Sequence, residues 1–296
     1  MANLDGSPVQ HIRGLSEIAP SLSLVICDLW GVMHNGLKAN SQAVHAIEAL
    51  RETGVASVFL SNAPRPRYHV RDQLIGMGVP PVLTDFVVTS GGLARDAVRQ
   101  EFDGAKLYHL GPEGDSNTVD ELPIEEVTHP DFAEVILATD LDFREIENHR
   151  NWLKRACERG VPLLCANPDR VVHVGDKLYT CAGAVADLYE EMGGPVSWFG
   201  KPTPESLQTC VKERGLPADT AGDKILMIGD SLQTDIAGAE AAGFNSLFIA
   251  GGIHREEWPS IEGALDSNDT LSVDMFEKLL GPGKPRPGFM MKNLVW

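Results

Sequence analysis

Four stretches of this chain place acids, a hydroxyl or an ammonium where an apolar run stops. Asp28 and Trp30 follow Leu24-Val25-Ile26-Cys27 in LVICDLWGVMHNG. Ser61 and Asn62 end the run in VFLSNAPRP. Lys201 stands in SWFGKPTPESL, and Asp230 and Asp235 flank a turn in KILMIGDSLQTDIAGA. Carboxylate oxygens are hard donors suited to Mg²⁺, and an ammonium and a hydroxyl suit phosphoryl oxygens. One carboxylate, Asp28, is also a candidate nucleophile.

These groups need a scaffold that brings four loops together. Short apolar runs alternate with amphipathic segments along the chain, which predicts an α/β protein. Strands are expected over 23–29, 56–62, 85–90, 106–110, 134–139, 162–166, 196–199, 224–229 and 246–250. Helices are expected over 42–53, 68–77, 93–102, 144–159, 184–192, 204–214 and 234–242. Val185, Leu188, Tyr189 and Met192 form one helical stripe, while Thr203 and Pro204 suit an N-cap and first helical residue. Gly160 and Gly243 suit helix stops. The loops after the strands are where an open parallel sheet presents ligands. A block with its own strands and helix divides the chain into core (1–102), inserted domain (103–180) and core again (181–296). The tail after Leu280, Pro/Gly-rich and then apolar, either docks on the body or contacts another subunit.

The bulk numbers narrow the function classes. At 296 residues and 43% hydrophobic content, two domains with real cores are expected. No apolar run approaches the roughly 20 residues of a membrane span, and the N-terminus lacks a basic start and apolar signal core, so a cytoplasmic protein is expected. A formal charge of −17 argues against nucleic acid. A small anionic substrate stays open, because net charge says nothing about one cleft. The acidic surface and apolar tail are compatible with a cap- or tail-mediated homodimer. The five cysteines form no CxxC pair and read as reduced thiols.

The order D-x-x-G-V, S-N, G-K-P and G-D-x-x-x-x-D resembles the haloacid dehalogenase superfamily. The insertion between the second and third motifs, CANPDR (Cys165–Arg170) and AGAVADLYEEMGGPVSWFGKPTPES resemble its type IIA, sugar-phosphatase-like branch. The resemblance implies a doubly wound, parallel-sheet, Rossmannoid core with an inserted α/β cap. It also implies Mg²⁺-dependent hydrolysis of a small phosphorylated substrate. Asp28 would then form an aspartyl-phosphate, with Ser61 and Lys201 holding the phosphate and Asn62 among the substrate-binding residues. Asp28, Asp230 and the carbonyl of Trp30 would ligate Mg²⁺, and Asp235 would orient the metal's waters or Lys201. In CANPDR, Asn167 and Asp169 either build an Asn-Pro-Asp turn or face substrate from a cap loop. Arg65 and Arg67 either reach the phosphate or begin a solvated helix.

The chain departs from that family at Trp30, where phosphatases of the superfamily typically carry a second Asp as general acid and base, help worth about 10²–10⁴ in rate. Four outcomes follow. Another group such as His34 serves as acid (its alternative is a loop histidine without a role), or the substrate is an acyl or anomeric phosphate that needs little protonation. A carbon-bond hydrolase is the third, though the retained Asp230 and Asp235 speak against it. The fourth is a weakened or silent protein that binds a phosphorylated ligand.

Overall fold

The computed structural model describes residues 7–141, 145–174 and 177–296. They form two compact units. The first runs through Ser61 and resumes as Arg71–Val88 and Lys201–Trp296; the second comprises Asn62–Val70 and Thr89–Gly200. The α/β class expected from the alternation is present in both.

Among the described residues the first unit carries an eight-stranded sheet. Its order is Thr270–Leu271, Val9–His11, Phe289–Met291, Asn245–Ile249, Ile225–Gly229, Leu24–Cys27, Ala56–Ser61 and Val87–Thr89. The pairs from Val9–His11 through Ala56–Ser61 are parallel, while Thr270–Leu271 is antiparallel. The central strands Leu24–Cys27 and Ile225–Gly229 are buried along their whole length, as a sheet covered on both faces requires. At the far end Phe248, Trp258, Phe276 and Met290 share one apolar cluster. The tail therefore docks on the body: Phe289–Met291 fills the slot between Val9–His11 and Asn245–Ile249.

The second unit holds a five-stranded parallel sheet, ordered Val196–Trp198, Leu163–Cys165, Val135–Ala138, Lys106–Leu110 and Glu125–Glu126. A hairpin, Val171–Val174 with Lys177–Thr180, lies outside that sheet. Helix Ala182–Glu191 buries Val185, Leu188 and Tyr189 against it, with Met192 half-buried beside them, the stripe expected from spacing. This unit is wider than the block 103–180, because Val196–Trp198 pairs with Leu163–Cys165 and helix Ser90–Glu101 packs Ala94 and Val98 onto Leu107, Val135 and Leu164.

Elements run close to their expected bounds elsewhere. The helix expected over 144–159 is Arg150–Glu158 after a 3-10 turn, Ile146–His149, and its expected first residue lies outside the described residues. Gly160 and Gly243 both sit at positive φ, +67° and +72°, as helix-terminating residues without Cβ can. No helix among the described residues is long and apolar enough to cross a membrane.

Candidate functional site

In the first unit the strand pairing aligns Cys27 with both Ile228 and Phe59, so three parallel strands end at nearly one level. Asp28 emerges there, its N–H donating to the Ile228 carbonyl at 2.8 Å. Ser61 is buried as the last residue of its strand, and Asp230 follows Gly229 directly. Asp235 sits on a π-helical turn, Leu232–Ile236, capped by Ser231, whose Oγ accepts the Thr234 N–H at 3.3 Å. Lys201 precedes helix Pro204–Glu213, where Thr203 is the N-cap and Pro204 the first residue. The side chain of Thr203 engages Ser206 Oγ at 2.6 Å and leaves the helix's own N–H groups alone.

Lys201 is 3% exposed and lies between two carboxylates. Its Nζ donates to Asp28 Oδ1 and stands 2.6 Å from Asp235 Oδ1. Burial alone would push the ammonium pKa down, but Asp235 and Asp28 outweigh it and hold it above its ordinary value. Burial pushes Asp235 up to about 6, with Asp28 adding to it and Lys201 opposing. Asp230 is pushed well up by burial, then by Asp28 and Asp235.

Oxygens of Asp28, Asp230 and Asp235 lie within 4.8 Å of one another. Three buried carboxylates facing one lysine leave excess negative charge, which a divalent cation would offset, and the oxygen donor set suits Mg²⁺. The backbone gives these carboxylates room. A Cβ at Gly31 or Gly252 would collide with the Asp230 carboxylate, and one at Gly229 with that of Asp235. Gly31 also lies at φ +79°, a region that L side chains rarely adopt. Two backbone donors complete the cradle: Ile253 N–H to Asp230 Oδ2 and Ser231 N–H to Asp235 Oδ2, each at 3.0 Å. Gly31 and Gly229 figure in the motifs D-x-x-G-V and G-D-x-x-x-x-D without a role, and Gly252, Ser231 and Ile253 went unrecognised in the sequence, since a missing Cβ or a backbone N–H leaves no side-chain signal. The Gly-Gly pair just after the apolar run in LFIAGGIH was the available sign.

Trp30 is 41% exposed, and its ring meets His34 edge-on at 5.6 Å between centroids. His34 is buried, accepts the Gly36 N–H on Nδ1 at 3.0 Å, and has its pKa lowered by desolvation. That leaves a neutral imidazole at neutral pH, a poor source of the proton considered for it.

The remaining expected residues belong to the second unit. Asn62 Nδ2 donates to Asp169 Oδ1 at 2.9 Å, and Asn167 Oδ1 accepts the Asp169 N–H at 3.4 Å. Arg170 clamps Asp187 with two bonds of 2.7 and 2.9 Å and stacks over Trp198, which anchors the end of CANPDR. Arg65 pairs with Asp115 and bonds Asn117 at 3.2 Å, and Arg67 pairs with Asp96 at 2.8 Å. Both arginines thus have structural partners within their own unit.

Comparison with known proteins follows the same lines. Residues 25–125 match the family described as haloacid dehalogenase-like hydrolase, and residues 198–268 match a second family of HAD-hydrolase-like proteins. The 5'-nucleotidase YutF of Bacillus subtilis is 25% identical, the match covering 78% of this chain and 88% of that one. A glycerol phosphate phosphatase from Mycobacterium tuberculosis, solved in complex with magnesium, shares the fold. It matches at a TM-score of 0.67 and 21% identity, over 93% of this chain and 77% of that one. A hydrolase of the haloacid dehalogenase-like family from Brucella suis 1330 superposes with a TM-score of 0.77, covering 96% of this chain and 100% of its own. Its sequence is 30% identical over that span, and the chain described here therefore belongs to the haloacid dehalogenase-like hydrolase family.

Proposed function

We propose that this hydrolase is a Mg²⁺-dependent phosphatase of small organic phosphates that works through an aspartyl-phosphate at Asp28. The carrying observation is Lys201 held between Asp28 and Asp235, with Asp230 completing a buried three-carboxylate cluster at the ends of parallel strands. Phosphatase names among the relatives, 5'-nucleotidase, sugar phosphatase and glycerol phosphate phosphatase, support the reaction class.

In this reading an Asp28 carboxylate oxygen attacks phosphorus as the bond to the leaving oxygen breaks. Lys201 keeps Asp28 ionised and in place, and with the Ser61 hydroxyl binds phosphoryl oxygens. Asp28, Asp230 and the Trp30 carbonyl would hold Mg²⁺, which supplies charge neutralisation at the phosphoryl group, with Asp235 steadying Lys201 and the metal's surroundings. Asn62, Asn167 and Asp169 are assigned to the organic part of the substrate. Water then cleaves the aspartyl-phosphate and regenerates the Asp28 carboxylate.

The test is turnover of p-nitrophenyl phosphate with Mg²⁺ and with chelator, wild type beside Asp28→Asn. Loss of about 10³-fold or more in kcat for the variant, and loss of activity in chelator, are expected. Undiminished turnover by Asp28→Asn would refute the nucleophile. Trp30 favours a second reading, a protein that binds a phosphorylated ligand without cleaving it. An inert wild type whose melting temperature rises with a phosphorylated compound would establish that one instead.

A further inference from the structure

The organic oxygen of a phosphate ester departs from phosphorus as an oxyanion unless some group hands it a proton. Around Asp28 the described ionisable side chains of the first unit are engaged elsewhere. Lys201 is held by Asp28 and Asp235, Asp235 accepts the Ser231 N–H, and Asp230 accepts the Ile253 N–H. The Cys27 thiol donates to the Asp28 carbonyl at 3.2 Å. What the loop offers two residues beyond the nucleophile is Trp30, whose indole N–H is no acid in water.

The indole is also braced. His34 stands against it with ring planes 80° apart, and the two residues are joined by a backbone bridge. Its six-membered ring lies on Gly36, at φ +86°, where an added Cβ would come within 2.6 Å of Cη2. The Gly36 N–H in turn donates to His34 Nδ1, so indole, imidazole and turn lock one another. Despite this bracing, 41% of Trp30 stays exposed. A braced, partly open aromatic ring two residues along the loop from the nucleophile is a stacking surface for a flat group.

We propose that Trp30 selects substrates by their leaving group, admitting phosphomonoesters of acidic, planar, conjugated hydroxyl compounds (aryl- or enol-type) and failing with simple alkyl phosphates. This rests on the phosphatase reading above. The Asp28 carboxylate forms the new P–O bond, the P–O bond to the substrate breaks, and its electron pair leaves on an oxygen whose charge the conjugated frame delocalises. That oxygen takes its proton from solvent after departure. Water then replaces Asp28 at phosphorus, one of its protons staying on phosphate and the other passing to solvent. Stacking on Trp30 holds the flat group in place throughout.

The experiment measures kcat/KM with Mg²⁺ for p-nitrophenyl phosphate, phenyl phosphate and glycerol 3-phosphate, using wild type, Trp30→Asp, Trp30→Asn, Trp30→Ala and Asp28→Asn. Wild type should favour p-nitrophenyl phosphate over glycerol 3-phosphate by about 10³-fold or more, with phenyl phosphate between, and Trp30→Asp should close that gap by about 10²-fold. Trp30→Asn has nearly the same shape without the proton and should not close it. Trp30→Ala should raise KM for the aryl esters by up to about 10-fold with little change in kcat. Because Trp30 packs on His34 and Gly36, a melting temperature is taken for each variant, and kinetics are compared at a temperature where all of them are folded. Turnover that needs Asp28 but is indifferent to the leaving group, or equal effects of Trp30→Asp and Trp30→Asn, would overturn the selector alone. Inert protein on all three esters, or activity surviving Asp28→Asn, would sink the phosphatase reading and the selector with it.

Discussion

Lys201 Nζ stands 2.6 Å from Asp235 Oδ1, and neither residue is more than 3% exposed. A buried ion pair of this kind contributes little by existing but costs a great deal to break, because the survivor is stranded in low dielectric. Here the lysine also serves Asp28, so its removal strands two carboxylates.

Lys201→Met should therefore lower stability by about 3–5 kcal/mol in chelator, beyond its effect on activity. Millimolar Mg²⁺ should restore part of the loss, since a divalent cation would replace some of the missing positive charge. Thermal unfolding with and without Mg²⁺ reads both effects. A melting temperature unchanged by the substitution would contradict the buried triad.

Stability should also depend on pH through Asp235. Its folded pKa of about 6 exceeds the ordinary 3.8, so between those values the folded state holds the proton more tightly than the unfolded chain. The associated stability is complete below about pH 4, drains away as pH rises to about 6, and is level above. A shift of that size is on the order of 3 kcal/mol. Asp230 shifts in the same direction. In chelator, the stability of wild type relative to Asp235→Asn should fall across this window. Mg²⁺ should reduce the fall, because it favours the ionised carboxylates.

Gly252→Ala tests the cradle around Asp230. The new Cβ would overlap the carboxylate, which must turn away from the place that Mg²⁺ needs. Overpacking of this kind costs about 1–3 kcal/mol. Mg²⁺ affinity should weaken by about 10-fold or more, read by calorimetric titration of the folded variant. Gly76→Ala is the control, since there an added Cβ meets nothing within 4 Å.

The strand Phe289–Met291 gives a prediction far from the chemistry. Met290 is fully buried in the cluster with Phe248, Phe276 and Trp258. Met290→Ala should cost about 2–5 kcal/mol in urea unfolding, with the kinetic constants of the remaining folded enzyme unchanged. A surface-like cost below about 0.5 kcal/mol would mean that this strand is not docked in solution.

Short apolar runs bounded by polar loops made most of this architecture readable. Leu24–Cys27, Ala56–Ser61, Ile225–Gly229 and Asn245–Ile249 each contain at least three consecutive apolar residues, at strand length. Val9–His11, Thr270–Leu271 and Phe289–Met291 span only two or three residues, too few to show a period, and their partners are distant in sequence. Tertiary pairing creates them. At the site, Asp28, Ser61, Lys201, Asp230 and Asp235 were legible because each carboxylate, hydroxyl or ammonium follows or flanks such a run. Asn62 was harder to read: it adjoins Ser61, yet its amide is committed to Asp169, more than a hundred residues away in sequence. The glycine cradle was hidden for a different reason, since its contribution is the absence of atoms.

The placing of Phe289–Met291 between Val9–His11 and Asn245–Ile249 also constrains the order of events at the ribosome. Both neighbours of the strand at Val9–His11 in the sheet come from beyond residue 269. Its edge stays unpaired until those distant segments have been made. Closure of this half of the sheet thus has high contact order and is slow relative to local helix formation.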